Sequence, residues 1–351
     1  MKRLIGLSVL LGTVMTAAGA LYGADVQGPD WAYAVPPPAP KGAAPAQPVR
    51  DDGSMLSVPG SDKHFTFNQV RGRKDNDTPA RVAPADWFPQ DHPQMPSIVE
   101  KGDESRGIIA CSLCHYPNGK GRSENASPAA LPYDYIVRQL HDMRDGTRTS
   151  SERRKQNTQA MIGFAKAMTE DEIRAAGAYF SAMNWTPWIK VVESATAPKA
   201  RSAGGLWIPL TGAQAGTEPL GNRIIEVPED PNATETLRNP RSGFIAYVPM
   251  GAVAKGKEIV TTGAAGKTIA CTVCHGENLN GIGPIPGIAA RSPSYLARQL
   301  WDIKQGARHG EMTTLMKPVV ANLTNDDIIN ITAYVASLPA PATSPLKTAA
   351  K

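Results

Sequence analysis

Apolar positions recur at helical spacing in two stretches far apart in the chain, Ile173, Ala176 and Phe180, and Ile328, Ile331 and Val335. Each stretch opens on a threonine with an acid three residues later, Thr169 with Glu172 and Thr324 with Asp327. That is the capping-box pattern, in which side chain and backbone satisfy each other's free N–H groups, and the aspartate version is the weaker. Helices are therefore predicted to start at Thr169 and Thr324. Upstream, the pattern predicts helices over 133–145 and 294–305, with Gly146 and Gly306 as C-terminal caps. Shorter helices are predicted near 97–105 and 252–261. Between these regions the period changes. Residues 188–193, 223–227 and 244–248 read as short strands, so the stretch 185–250 is a structured bridge and not a flexible linker. The run Val35-Pro36-Pro37-Pro38-Ala39-Pro40, continuing to Pro48, reads as an extended proline-rich spacer. Residues 49–95 are polar and punctuated by proline. Phe65, Phe67, Trp87 and Phe88 are scattered there, which predicts an irregular arm packing through its aromatics on one helical unit.

The two helical regions are copies of each other. Tyr135-Ile136-Val137-Arg138-Gln139-Leu140 matches Tyr295-Leu296-Ala297-Arg298-Gln299-Leu300 at an offset of 160, and the match continues through Asp142/Asp302 and Gly146/Gly306 to Arg148/Arg308. Near the end of each copy, 168–173 resembles 323–328 at an offset of 155, so the first copy carries five extra residues, assigned to the polar loop around 148–157. The chain thus divides into 1–24, a spacer and arm over 25–95, a first helical domain over 96–184, the bridge over 185–250, a second helical domain over 251–339 and a disordered tail over 340–351.

All four cysteines fall in two pentapeptides at the repeat offset, Cys111-Ser112-Leu113-Cys114-His115 and Cys271-Thr272-Val273-Cys274-His275. This spacing is the attachment signal for c-type haem: two thiols bond the haem vinyl groups and the adjacent imidazole takes an axial iron position. A zinc site would spread its ligands over paired knuckles without a histidine after each pair. A thioredoxin-like dithiol would not need the histidine. One haem in each of two copies predicts two covalently bound haem c groups. The composition agrees with a folded protein, with 41% hydrophobic and 20% charged residues. The formal charge of +5 is largely offset by haem propionates, and no basic-aromatic array points to nucleic acid as a partner. Met1-Lys2-Arg3 followed by a mostly apolar stretch from Leu4 to Ala24 reads as a signal peptide with Ala18-Gly19-Ala20 as its cleavage site. The rival reading is an uncleaved anchor giving membrane association through residues 4–24.

The ligand opposite each histidine decides the chemistry. An open position allows catalysis or ligand binding, whereas a filled one restricts the iron to electron transfer. Met161 lies seven residues before Met168, and Met316 seven before Leu323, both in the loop expected just before the last helix. They are the predicted sixth ligands, so the metal set is His115, Met161, His275 and Met316. Met312 is the rival in the second copy, and bis-histidine ligation through His141 or His309 is the other alternative. Pro284 is a candidate to hold His275 through its carbonyl, with Glu124 at the equivalent place in the first copy. Arg138 and Arg298 are candidates to reach propionates. Tyr135, Tyr295, Tyr179 and Tyr334 are assigned to packing around the haem.

These residues resemble the periplasmic dihaem class I cytochromes c of the cytochrome c-four group. Cys271–His275, residues 283–287, 295–300 and 316–338 match that pattern well. Cys111–His115, 135–140 and 161–183 match it with gaps, and about half the chain is covered. The resemblance implies a mainly α protein of two tandem class I cytochrome c domains. It further implies an exported periplasmic electron carrier, or one held at the inner membrane, that exchanges electrons with a membrane-bound donor, an oxidase or a dehydrogenase. The alternative is an electron-accepting subunit of a periplasmic dehydrogenase complex, and a dihaem peroxidase is a further, enzymatic one. The spacer, the arm and the bridge have no counterpart in a compact member of the group.

Overall fold

A computed structural model describes residues 28–36, 51–74 and 81–341. The expected leader, the spacer over 37–48 and residues 342–351 of the tail lie outside the described residues. Among the described residues, no helix is long and apolar enough to cross a membrane.

The chain enters through a 3-10 turn at Asp30–Ala32, whose neighbours Ala32 and Tyr33 are buried against Trp301 in the second unit. Val35, expected in an unpacked spacer, lies on the same core. The arm then forms helix α1 (Phe67–Val70), closed by a complete Thr66–Gln69 capping box. Its aromatics differ from expectation. Trp87, Phe88 and Phe65 close with Val58, Val70 and Ala85 into a small core of their own, which docks on Leu237 of the bridge and not directly on a helical unit. The Trp87 Nε1–H donates to the Leu237 carbonyl at 2.7 Å, satisfying the indole where it is buried.

The first unit starts with α2 (Ser97–Glu100), shorter than predicted. Gly102 at φ +71° turns the chain into the hairpin β1 (Gly102–Asp103) and β2 (Ile108–Ile109). A Cβ at Gly102 would lie 2.3 Å from the Ile108 carbonyl oxygen, so only glycine fits this turn. Helices α3 (Cys111–His115), α4 (Tyr133–Arg144), α5 (Gln156–Ala167) and α6 (Glu170–Ser181) complete the unit. Gly146 follows the α4 C-cap at φ +79°, as its composition predicted. The unit's core runs through Ile98, Val99, Ile136, Ile173, Tyr179 and Phe180.

The bridge holds the predicted strands as one sheet. β3 (Ile189–Glu193) runs parallel to β9 (Phe244–Val248), which pairs antiparallel with β8 (Ile225–Pro228). Two hairpin-like pairs lie between them in sequence, β4 (Thr196–Pro198) with β7 (Thr217–Pro219), and β5 (Ala200–Ala203) with β6 (Leu206–Pro209). Phe244, Ala246 and Val248 alternate with Ile245 and Tyr247 along β9, so the two faces serve different cores. Ala246 and Val248 pack on Ala252, Ile329 and Ala333 of the second unit, while Trp188 and Phe244 join the first unit's core. The sheet therefore ties the units together.

The second unit comprises α7 (Ala252–Thr262), α8 (Thr272–His275), α9 (Pro293–Lys304), α10 (Lys317–Val320) and α11 (Asn325–Ser337). Helices α7 and α11 cross at Gly256, where a Cβ would overlap the Asn330 carbonyl. The Thr324–Asp327 capping box is complete, matching Thr169–Glu172 in the first unit.

Candidate haem sites

Each Cys-x-x-Cys-His segment folds as one short helix, α3 or α8, and lines one cavity. Counting their open mouths, the cavities hold about 1300 Å³ and 1490 Å³. Cys111, Cys114, His115 and Met161 line the first; Cys271, Cys274, His275, Met316 and Met312 line the second. The four thiols are free. Burial pushes the Cys111 thiol up to about 12 and the Cys271 thiol to about 11, the opposite of the lowered values that activate a redox dithiol. Among the described residues, no cluster of three His, Cys, Asp or Glu side chains is placed to hold a metal ion, so the donor set does not build a zinc knuckle.

The two histidines are held identically. His115 Nδ1 donates to the Ala126 carbonyl and His275 Nδ1 to the Pro286 carbonyl, both at 2.8 Å and both eleven residues on. Since a carbonyl only accepts, the proton sits on Nδ1 and Nε2 keeps its lone pair. Burial pulls both imidazoles below their ordinary pKa, which keeps them neutral near pH 7. This corrects the sequence-based choice of Pro284, which lines the second cavity but does not accept from His275. The same holds in the first copy, where the Ala126 carbonyl and not that of Glu124 accepts from His115, and the Glu124 carboxylate accepts from Arg122 at 2.7 Å. The repeat offset of 160 relates Ala126 to Pro286 and was the signal available for finding them.

Met161 does not sit in a loop. The first unit carries it in mid-helix, in α5, whereas Met316 ends a 3-10 segment before α10. The stretch 156–167 carries three Ala and two Gln and has no proline, which favours a continuous helix; the second unit has Pro318 at the corresponding region. The extra residues of the first copy thus extend helical structure and bring Lys155 into the cavity wall, where burial pulls its ammonium down to about 7. His141 faces Glu170 at 3.1 Å, and His309 Nδ1 donates to the Gly306 carbonyl of its own turn at 2.9 Å. Neither lines a cavity.

The cavities share a wall. Leu131, Tyr135, Gln139, Tyr295 and Gln299 line both. Arg298, from the second unit, lines the first cavity, and Arg138, from the first unit, lines the second. Arg298 spends its guanidinium on the Ala32 and Ser123 carbonyls, which leaves it less free for an anion than the sequence suggested. The seam instead presents two arginines that sequence reasoning noted only as the end of a match. Arg148 donates to Gln139 Oε1 at 2.9 Å and to Tyr295 Oη and Gln299 Oε1 at 3.1 Å. Arg308 mirrors it, donating to Tyr135 Oη at 2.9 Å, Gln139 Oε1 at 2.7 Å and Gln299 Oε1 at 3.2 Å. Their partners are amide and phenol oxygens, and Arg308 Nε is buried with no partner. A buried cation surrounded by neutral acceptors is costly unless an anion completes its shell. Apolar cavities, protonated thiols, neutral anchored imidazoles and two buried arginines whose direct partners are neutral oxygens together fit a haem with anionic propionates.

Comparison with known proteins agrees. The cytochrome c family model matches residues 253–339. A cytochrome c4 of Pseudomonas aeruginosa is 22% identical over 245 residues, covering 68% of this chain and 89% of the relative. A thiosulfate dehydrogenase electron acceptor of Thiomonas intermedia is 24% identical over 245 residues, covering 68% of this chain and 82% of the relative. Cytochrome c-554(548) of Halomonas halodenitrificans is 36% identical over 68 residues, covering 19% of this chain and 82% of the relative.

Proposed function

The chain belongs to the cytochrome c family, and from that premise we propose how this electron-transfer cytochrome holds and uses two covalently bound haem c groups. Residues 96–184 and 251–339 are two tandem class I cytochrome c domains, each with one haem. Cys111 and Cys114 hold the first by thioethers, and Cys271 and Cys274 the second. His115 and His275 would each supply one nitrogen to the iron, their rings fixed by the Ala126 and Pro286 carbonyls. Met161 and Met316 would supply a sulfur ligand each. They are the one pair of methionines that the repeat aligns, and each lines the cavity of its own histidine. Bound there, the iron supplies one-electron ferric/ferrous chemistry, and a soft thioether favours the ferrous state.

The chain's own residues do the rest. Burial keeps each histidine neutral and its Nε2 available. Arg148 and Arg308 neutralise propionates at the seam. Tyr135, Gln139, Tyr295 and Gln299, common to both cavities, form the wall that electrons would cross between sites. The chain acts as a carrier for other redox proteins and not as an enzyme in its own right, and its place is the periplasm. The observation that carries this reading is the duplicated arrangement: two Cys-x-x-Cys-His helices, each beside its own apolar cavity, with each histidine anchored by the carbonyl eleven residues on.

A second reading is favoured by the relative named a thiosulfate dehydrogenase electron acceptor. In it the chain is the electron-accepting subunit of a periplasmic dehydrogenase complex, with identical haem chemistry. An optical and potentiometric titration of the exported protein tests the main reading: two haems per chain, both with iron–sulfur ligation, are expected. Copurification with a larger catalytic subunit would select the second. Peroxide turnover well above that of free haem would instead point to a dihaem peroxidase.

A further inference from the structure

The two haem sites are copies, but their outer faces have different surroundings. In the first unit a bridge segment, Thr234–Arg241, lies across the Cys-x-x-Cys-His helix. The Arg238 guanidinium donates to the Leu113 carbonyl and stands over the Tyr116 ring at 5.8 Å. Tyr116 Oη donates to the Thr234 carbonyl at 3.3 Å, Asn118 Nδ2 donates to the Pro240 carbonyl at 2.8 Å, and Arg122 pairs with Glu235. The arm fastens this segment from outside. Trp87 donates to Leu237 O, Arg71 donates to Thr236 O at 3.2 Å, and Asp91 pairs with Arg241 at 2.7 Å. Tyr116 and Arg122 are consequently only 3% and 8% exposed. In the second unit no segment occupies the equivalent face among the described residues. Val273, the counterpart of Leu113, is 69% exposed, and Ile282, the counterpart of Arg122, is 56% exposed. Neither lines the haem cavity; both face outward.

We propose that Thr234–Arg241, latched by the arm, closes the first haem site to redox partners. The face around Val273 and Ile282 is then the single port through which a protein partner with an apolar contact patch exchanges electrons. The inference rests on haem being bound at both motifs. A haem held through each cysteine pair would exchange electrons with a partner that reaches the outer face of that pair's helix. A covered face would exchange slowly because transfer weakens steeply with separation. The first unit itself shows what this face accepts: its copy is already an interface, filled by a segment of the same chain. Exposed branched apolar side chains on the open copy are the feature that marks a contact surface for another protein.

The test uses oxidised holoprotein reduced by flash-generated flavin mononucleotide semiquinone, an anionic probe, at low ionic strength. Val273→Glu/Ile282→Glu, two surface changes, place negative charge at the second port. With a single port, the second-order rate constant falls more than fivefold. With two equal ports, blocking one leaves at least half the rate, so a fall of twofold or less overturns the proposal. Ile282→Glu alone serves where the double variant attaches haem poorly. Conversely, Arg238→Ala loosens the cover and is expected to raise the rate by up to twofold. It should also speed amide hydrogen exchange at 112–116 while leaving 272–276 unchanged. Equal exchange of the two segments in the unaltered protein, insensitive to Arg238→Ala, contradicts the cover. Haem content per chain, measured first, separates failures: one haem per chain overturns the dihaem reading beneath the proposal, whereas two haems with equal ports overturn the proposal alone.

Discussion

Met161 and Met316 carry the sharpest residue-level expectation, because nothing but an axial sulfur gives the weak near-infrared band of a ferric His/Met haem. Met161→Ala and Met316→Ala are each expected to remove about half of that band if, as proposed, each site contributes one sulfur. Loss of neither half would assign the sixth positions elsewhere, with Met312 the nearest alternative in the second cavity. The cysteines and histidines were legible in sequence because covalent chemistry fixes their spacing within five residues. The carbonyls that hold the histidines were not. Any residue has a carbonyl, so Ala126 and Pro286 advertise nothing by type, and only their shared distance from the histidines betrays them. Arg148 and Arg308 were visible as a repeat but not as a site, because their meaning comes from tyrosines and glutamines of the other unit.

Among the elements, the helix crossing in the second unit depends on Gly256. Gly256→Ala is expected to destabilise that unit by about 1–3 kcal/mol, because the added methyl must push α7 off α11. Thermal unfolding followed at the haem absorbance checks it, and an unchanged midpoint would mean the helices can separate freely. Glu226 on β8 makes a different link. It is buried and accepts from Ser292 Oγ at 2.7 Å and Ser294 N at 3.2 Å, at the N-terminus of α9, while its Oε1 has no partner. Burial raises its pKa. A carboxyl raised in the folded state contributes stability fully present below its unfolded pKa and lost as pH rises through the folded one. Glu226→Gln should therefore raise the unfolding midpoint at pH 8, by about 1 kcal/mol of stability, and change it little at pH 5. A gain at pH 5 and none at pH 8 would reverse the assignment. Helices with caps and strands with alternation were legible because their signals are local. The shortening of α2 and the helical setting of Met161 were not, since the eight-residue hairpin Gly102–Ile109 and a helix-forming insertion set the first copy apart from the second.

Across the whole molecule, the seam between α4 and α9 joins two cavities with a common wall. Removing a buried cation there favours the ferric over the ferrous iron. Arg308→Gln is therefore expected to lower a haem potential by roughly tens of millivolts, read by spectroelectrochemical titration, with the other haem affected less. A rise, or no change in either haem, would place the propionates away from the seam. The bridge looked like an addition to a two-domain plan. It proves to be the element that binds both cores and the arm together, through Trp188 and Phe244 to the first unit and Ala246 and Val248 to the second. No local pattern could announce that, because the contacts join residues far apart in the chain, such as Ala246 with Ile329 and Trp87 with Leu237.

The most direct test of the central claim is the intact mass and absorbance of the exported chain after acid denaturation and solvent extraction. Two covalently attached haem groups per chain, retained through extraction, are the predicted result. A colourless chain, a pigment that extracts into the solvent, or attachment at one motif alone would contradict it.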